Sequence, residues 1–449
     1  MKKTMSPTEL GTENISKLLR KYSIPAIIAM VASSLYNITD SIFIGHGVGA
    51  MAISGLAITF PLMNLAAAFG SMIGIGASTL LSIRIGQKDY GSANQILGNV
   101  VILNLITGLL FGIVALVFLD PILLFFGASE VTLPYAHDFM FVILLGNVVS
   151  HIYFGLNAVL RASGKPEKAM YATLMTVGIN LILNPLFIFV FKWGIQGSAL
   201  ATVISQVIML VWQYGLFQSK DSFLHFTREG LRLKKRIVID SVSIGLAPFL
   251  MNAASCVIVI LINKGLMYTG GDYAVGAYGI VNRIAFLFIM IVIGLNQGMQ
   301  PIAGYNFGAK KYERVTLVFK KTLLFATAAL CVGCAIVELI PREVASVFTT
   351  DERLIAMAAV GLRIVFASYP IVGFQMVTSN FFQSMGMAKK AIFLSLTRQV
   401  LFLIPLLLIL PYAWGLTGVW WSMPIADCIA VIVTGIMLVL QMRKFKTMG

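Results

Sequence analysis

Asp40 stands in the stretch Tyr36-Asn37-Ile38-Thr39-Asp40, inside a long apolar run. A charge near the centre of a bilayer costs at least ~2.5 kcal/mol on insertion scales, so an acid in such a run is a functional candidate. Tyr36 lies one turn before it and Asn37 three residues before it, both within reach of the same face. A later run carries Asn180 and Asn184, again one turn apart, and Pro185 behind Asn184 removes a backbone donor and frees a carbonyl one turn back. The run after that carries Thr202, with Gln206 a turn on. A carboxylate, amide oxygens, a hydroxyl and a freed carbonyl are hard oxygen ligands. Together Asp40, Asn180, Asn184 and Thr202 could hold a proton or a small cation such as sodium, and no organic cofactor is called for. Asn and Thr in apolar runs also serve as plain hydrogen-bond partners between helices.

Other polar groups are scattered along the apolar runs. Asn147, His151 and Asn157 fall in the fourth run. A lone histidine there is more often a satisfied structural residue. Asp427 falls in the last run, with Arg363 and Arg398 in the two before it, and an acid with bases nearby is either a neutralised structural pair or part of a site. Tyr36, Asn37, His151, Asn157 and Asp427 are the residues open to a substrate cavity. Prolines inside the runs, among them Pro25 and Pro248, mark kinks, with Pro25 the candidate hinge. Gly70, Gly74 and Gly76 permit close helix packing. No phosphate-loop signature is present, so the energy source is expected to be an ion gradient. Four dispersed histidines give no metal-ligand spacing, and an enzyme is not expected.

These residues need elements to position them. Of 449 residues, 58% are apolar and 11% charged, whereas soluble domains carry roughly 25% charged residues. Twelve apolar stretches are long enough to cross a hydrocarbon layer of ~30 Å. The expected fold is an all-α membrane protein of twelve transmembrane helices. The charge of +15 is a topology signal: 26 of 33 Lys and Arg fall on one side when both termini are placed there, and the side rich in bases is the cytoplasmic one. Nucleic acid therefore loses its support as a partner, and the bilayer takes its place. The organisation expected is a cytoplasmic N-terminus 1–21, an N-lobe 22–218, a cytoplasmic linker 219–240, a C-lobe 241–440 and a cytoplasmic tail 441–449.

Sliding the chain against itself by 222 residues brings Gly76 onto Gly298, Gly86-x-Lys88-x-Tyr90 onto Gly308-x-Lys310-x-Tyr312, and Gly164 onto Gly386. A one-residue slip then places Gly194 and Gly197 on Gly415 and Gly418. Each repeat holds six helices, an even number, so the two lobes are parallel repeats related by a pseudo-two-fold axis along the membrane normal. Two such bundles facing a central cavity form a transporter. The equivalent of Asp40 is Ile262, so the scaffold itself does not require the acid.

Five motifs carry a resemblance. They are Asp40-Ser-Ile-Phe-Ile-Gly45, Leu160-Arg-Ala-Ser-Gly164, Asn180-Leu-Ile-Leu-Asn-Pro185, Gly194-Ile-Gln-Gly-Ser-Ala-Leu-Ala-Thr202, and Gln300-Pro301 with Gly304-Tyr-Asn-Phe-Gly-Ala309. In order and spacing the chain resembles the multidrug and toxic compound extrusion family over nearly its whole length, and most closely its bacterial multidrug exporters. The resemblance implies a multi-pass antiporter of the inner membrane, monomeric, exporting organic cations and other drugs in exchange for protons or sodium by alternating access. It also implies that Asp40, Asn180, Asn184 and Thr202 form the ion-coupling site. Many relatives carry a second acid at the position of Asn184, and losing it leaves the coupling ion open between proton and sodium. The alternative is a lipid or lipid-linked sugar flippase of related fold, which should show a cavity richer in buried arginines.

Overall fold

The computed structural model describes residues 8–219 and 222–448; Lys2, Lys3 and Lys220 of the inner charge tally lie outside the described residues. Every regular element among the described residues is helical. The first helix runs Ile15–Gly47, the second Ala50–Gly86 and the third Tyr90–Val117. The fourth span is a pair, Leu133–Leu145 and Asn147–Ala162, bent by 56°. The fifth, Pro166–Pro185, runs on into a π-helical turn, Leu186–Val190, and the sixth is Gly194–Gln218.

In the second half, the seventh and eighth spans share the continuous stretch Lys235–Gly308, broken at Gly271, where φ is 67°. The ninth is Tyr312–Leu339, and the tenth is again a bent pair, Glu352–Phe366 and Tyr369–Ser384, at 51°. The eleventh begins as Ala388–Leu396, passes through a π-helical turn, Thr397–Leu403, and enters Ile404–Met448. A break at Gly415, with φ of 57°, separates its end from the twelfth. The twelve spans expected from hydropathy are all present.

The duplication is visible in the backbone. Left-handed conformations occur at Gly49 and Gly271, Lys88 and Lys310, Gly164 and Gly386, and Gly194 and Gly415, each pair at the repeat offset. Two of these, Lys88 and Lys310, hold φ of 62° and 57° without being glycine, a conformation that costs a residue with a Cβ and is kept only where the surroundings impose it.

The first helix starts at Ile15 rather than at Tyr22. Its front half buries Ile15, Leu18, Leu19 and Tyr22 while Lys17 and Arg20 face out. Averaged hydropathy hides such a two-faced turn, whereas the i, i+3, i+4, i+7 spacing displays it. Asn14 supports the start, its Oδ1 accepting from the Ser16 amide at 2.9 Å.

Contacts divide the chain into two compact units. The first is built from Ile28–Phe249 with the short stretch ending at Thr12, the second from Glu13–Ile27 and the chain from Leu250 onward. Each unit thus includes the front half of the other repeat's leading helix. Two of the changes of unit fall just after a proline, Pro25 in the first helix and Pro248 in the seventh. Within the first unit a Cβ on Gly76 would overlap the carbonyl oxygen of Ser241, and within the second a Cβ on Gly298 would overlap Ser23. Glycine at these two equivalent positions lets backbone lie against backbone.

The first unit's core has one cluster around Ile44, Leu62, Leu123, Phe139 and Ile188. Another joins Met72, Ile73 and Leu103 to Val242 and Phe249. The chain before the seventh helix is pinned to the third: Asn99 Nδ2 donates to the carbonyls of Gly230 at 2.9 Å and Arg232 at 3.0 Å, and its Oδ1 accepts from the Lys234 amide at 3.0 Å.

Candidate functional site: a buried carboxylate in the first unit

Three helices of the first unit each contribute two polar residues one turn apart. The first gives Tyr36 and Asp40, the fifth Asn180 and Asn184, and the sixth Ser198 and Thr202. Residues four apart stack on one helix face, so the six side chains meet as two rungs.

On one rung, Tyr36 Oη and Thr202 Oγ1 are 2.7 Å apart, and Asn180 Nδ2 donates to Thr202 Oγ1 at 3.0 Å and to Tyr36 Oη at 3.4 Å. On the other, Asp40 Oδ1 accepts from Ser198 Oγ at 2.5 Å and from Asn184 Nδ2. The rungs are joined where Asn184 Nδ2 also reaches Asn180 Oδ1 at 3.4 Å. Asn180 is 2% exposed, Asn184 0% and Asp40 7%.

This is a polar core inside an apolar bundle, and its acceptors are not all used. No described residue donates to Asp40 Oδ2. Asn184 Oδ1 is buried with no hydrogen-bond partner. An unpaired buried acceptor costs about 1–3 kcal/mol, a cost that Asn184 Oδ1 carries. Pro185 shapes the same place: lacking an N–H, it cannot continue the ladder, and the fifth helix passes into its π-helical turn directly after Asn184-Pro185.

The four residues expected to bind the ion are thus gathered in one place, with Tyr36 beside them. Asn37 is exposed and its side chain is not part of the cluster; only its carbonyl is used, by Ser41 Oγ at 2.9 Å. The reason is angular, since adjacent residues diverge by 100° around a helix, and the cluster lies on the side of Tyr36. His151 lies apart from the rungs, its Nε2 2.9 Å from the carbonyl of Ala66 and its ring against Gly70. Asn157 is also elsewhere, donating to the carbonyl of Ala169 at 3.0 Å and Thr173 Oγ1 at 3.3 Å while Arg161 donates to its Oδ1. Asp427 belongs to the second unit.

Ser198 is the one side chain of the cluster that the sequence did not single out. The signal was there in its position, one turn before Thr202 on the same face. Gln206, a turn beyond Thr202, accepts from Ser150 Oγ at 2.5 Å and extends the polar column along the sixth helix.

A twelve-span helical protein with a buried, partly unsatisfied carboxylate in one unit has the make-up of a multi-pass membrane transporter. The sequence profile of the MatE family matches residues 25–186 and 244–409, one block in each repeat, and the chain belongs to that family. It is 30% identical over 417 residues to the multidrug export protein MepA of Staphylococcus haemolyticus strain JCSC1435, covering 93% of this chain and 91% of that protein. It is 28% identical over 418 residues to the MepA of Staphylococcus aureus strain NCTC 8325, covering 93% and 92%. Among solved structures it is similar to an outward-facing multidrug resistance MATE family transporter of the MOP superfamily, with a TM-score of 0.93, 25% identity, and coverage of 99% of this chain and 100% of that one. The expected family and fold are therefore both found, and the relatives are transporters rather than enzymes.

Proposed function

We propose that this chain exports bulky organic cations from the cytoplasm in exchange for protons that bind at Asp40. The observation that carries the reading is the pair of uncommitted oxygens, Asp40 Oδ2 and Asn184 Oδ1, inside a bundle that otherwise satisfies its polar groups at this place. The multidrug export activity named for the MepA relatives supports the cargo. With an amide rather than an acid at position 184, the cluster holds one negative charge, and one bound proton neutralises it. Asn184 turns its Nδ2 toward the carboxylate, an orientation that suits a proton on Oδ2. A sodium ion would require the amide to rotate its oxygen inward.

In this reading ion binding at Asp40 breaks the contacts to Ser198 and Asn184, and the first helix moves about Pro25. Support for the hinge is that the helix changes unit two residues after that proline. The transporter alternates between outward and inward access in the inner membrane, as a monomer with both termini in the cytoplasm. Ethidium efflux from vesicles under separately imposed proton and sodium gradients tests the proposal. Efflux driven by the proton gradient alone is expected. Efflux driven only by sodium would replace the proton, and efflux under neither would overturn ion coupling.

A further inference from the structure

The second unit holds a buried acid of its own. Asp427 on the twelfth span is 4% exposed; its Oδ1 accepts from Arg398 Nε at 2.5 Å and its Oδ2 from Ser368 Oγ at 2.7 Å. The ion pair is one-pronged. Arg398 engages through Nε alone, and its two Nη groups have no partner among the described residues, whereas an arginine placed to lock a carboxylate typically closes a two-pronged fork. The Arg398 side chain is 24% exposed against 4% for that of Asp427, so the base covers the acid. Arg398 also stands in the π-helical turn Thr397–Leu403, a widening that recurs at functional sites.

Two further observations bear on this place. Tyr369, next to Ser368, stacks on Phe366 with ring centres 4.1 Å apart and 18° between planes, and Phe288 meets Phe366 edge-on at 5.9 Å. In the repeat, Asp427 falls on Gln206, the residue one turn beyond Thr202 in the first unit. Each takes a serine hydroxyl from the bent span of its own half, Ser150 in one case and Ser368 in the other. The position adjoining the candidate ion site in one unit is therefore, in the other, a carboxylate with a tethered base and aromatic rings.

We propose that Asp427 recognises the cationic group of the transported compound and that Arg398 is its built-in competitor. This rests on the reading that the cargo is an organic cation. An incoming cation takes the carboxylate in place of the guanidinium. The guanidinium swings away through its exposed end. Its return to Asp427 then expels the compound. One cation replaces another throughout, so the buried carboxylate is never left uncompensated, the state that makes broken buried pairs costly.

The test is equilibrium binding of tetraphenylphosphonium and of ethidium to the purified full-length protein, by calorimetry and fluorescence. Asp427→Asn is expected to weaken binding at least about tenfold, the scale of a lost close charge contact. Arg398→Gln is expected to do the opposite and tighten it about tenfold. Arg398→Lys, which keeps the charge and the fold but holds a carboxylate less specifically, is expected to tighten it by a smaller factor. If the two neutral substitutions change affinity in the same direction or not at all, or if Asp427→Asn combined with Arg398→Gln restores wild-type affinity lost by both, the pair is structural and the proposal falls. Binding needs no ion gradient, so a failure of ion coupling shows in vesicle efflux and leaves this comparison intact.

Discussion

Ser198 Oγ lies 2.5 Å from Asp40 Oδ1, joining the sixth helix to the only acid of the first. Together with Asn184 it ties one carboxylate oxygen to the scaffold and leaves the other without a donor among the described residues. Replacing Asp40 with Asn keeps the shape and removes the charge. Ethidium efflux is expected to fall to the level of vesicles without the protein, while the amount of protein in the membrane stays unchanged on an immunoblot.

Ser198→Ala removes one of two donors to a charged acceptor. A hydrogen bond of that kind contributes roughly 1.5–3 kcal/mol, so the concentration of coupling ion giving half-maximal efflux is expected to shift by about tenfold or more. Ser198→Thr retains the hydroxyl and is expected to stay close to the parent protein in the same assay.

Asn184→Asp places a second acid against Asp40 in a buried site. Two adjacent carboxylates bind a metal cation better than one. Efflux by this variant is expected to gain stimulation by sodium when measured at fixed pH, and no sodium response would show that position 184 does not choose the ion.

Gly76→Ala and Gly298→Ala each drive a methyl group into a neighbouring helix, at Ser241 and Ser23 respectively. Overpacking of this kind costs typically about 1–3 kcal/mol. Both variants are expected to melt earlier than the parent in detergent, by comparable amounts, because the two positions are equivalent in the repeat. Gly178→Ala, whose Cβ would meet nothing, is the control and should not melt earlier.

Outside the membrane, Asp89 caps the third helix, accepting from the Ser92 amide at 3.1 Å. Hydrogen bonds from Ser92 hold its carboxyl below the usual range, with smaller help from Arg84 and Lys234. A carboxyl lowered by folding stabilises the fold in full above its ordinary value of about 3.9, and that contribution fades as pH falls through the lowered one. Asp89→Ala is therefore expected to lower the melting midpoint at neutral pH and to matter less near pH 3, as read by melting curves across that range.

Much of this architecture is legible in the chain. Twelve apolar runs, the 222-residue repeat and the i, i+4 pairs of the first and fifth helices follow from periodicity, which depends on local sequence alone. That Asn37 stays outside the cluster was not legible, because spacing gives an angle and not a partner; only packing decides which flank of Asp40 faces the fifth and sixth helices. Ser198 was overlooked because a serine in a small-residue stretch is indistinguishable from a packing contact until an acceptor is placed opposite. The front halves of the first and seventh helices are illegible for another reason. Their unit is set by where Gly76 and Gly298 admit a backbone, and the residues admitted lie far away in sequence.

That exchange of leading half-helices bears on how the chain is made. During synthesis the first unit has no complete set of helices until Phe249 has emerged, well past the end of its own repeat. The second unit draws on Glu13–Ile27, made ahead of all of Ile28–Phe249 and held waiting while more than two hundred residues follow. A duplicated protein could in principle be divided into two independently expressed halves. Here a cut between the repeats would strip each product of a helix segment that only the other carries.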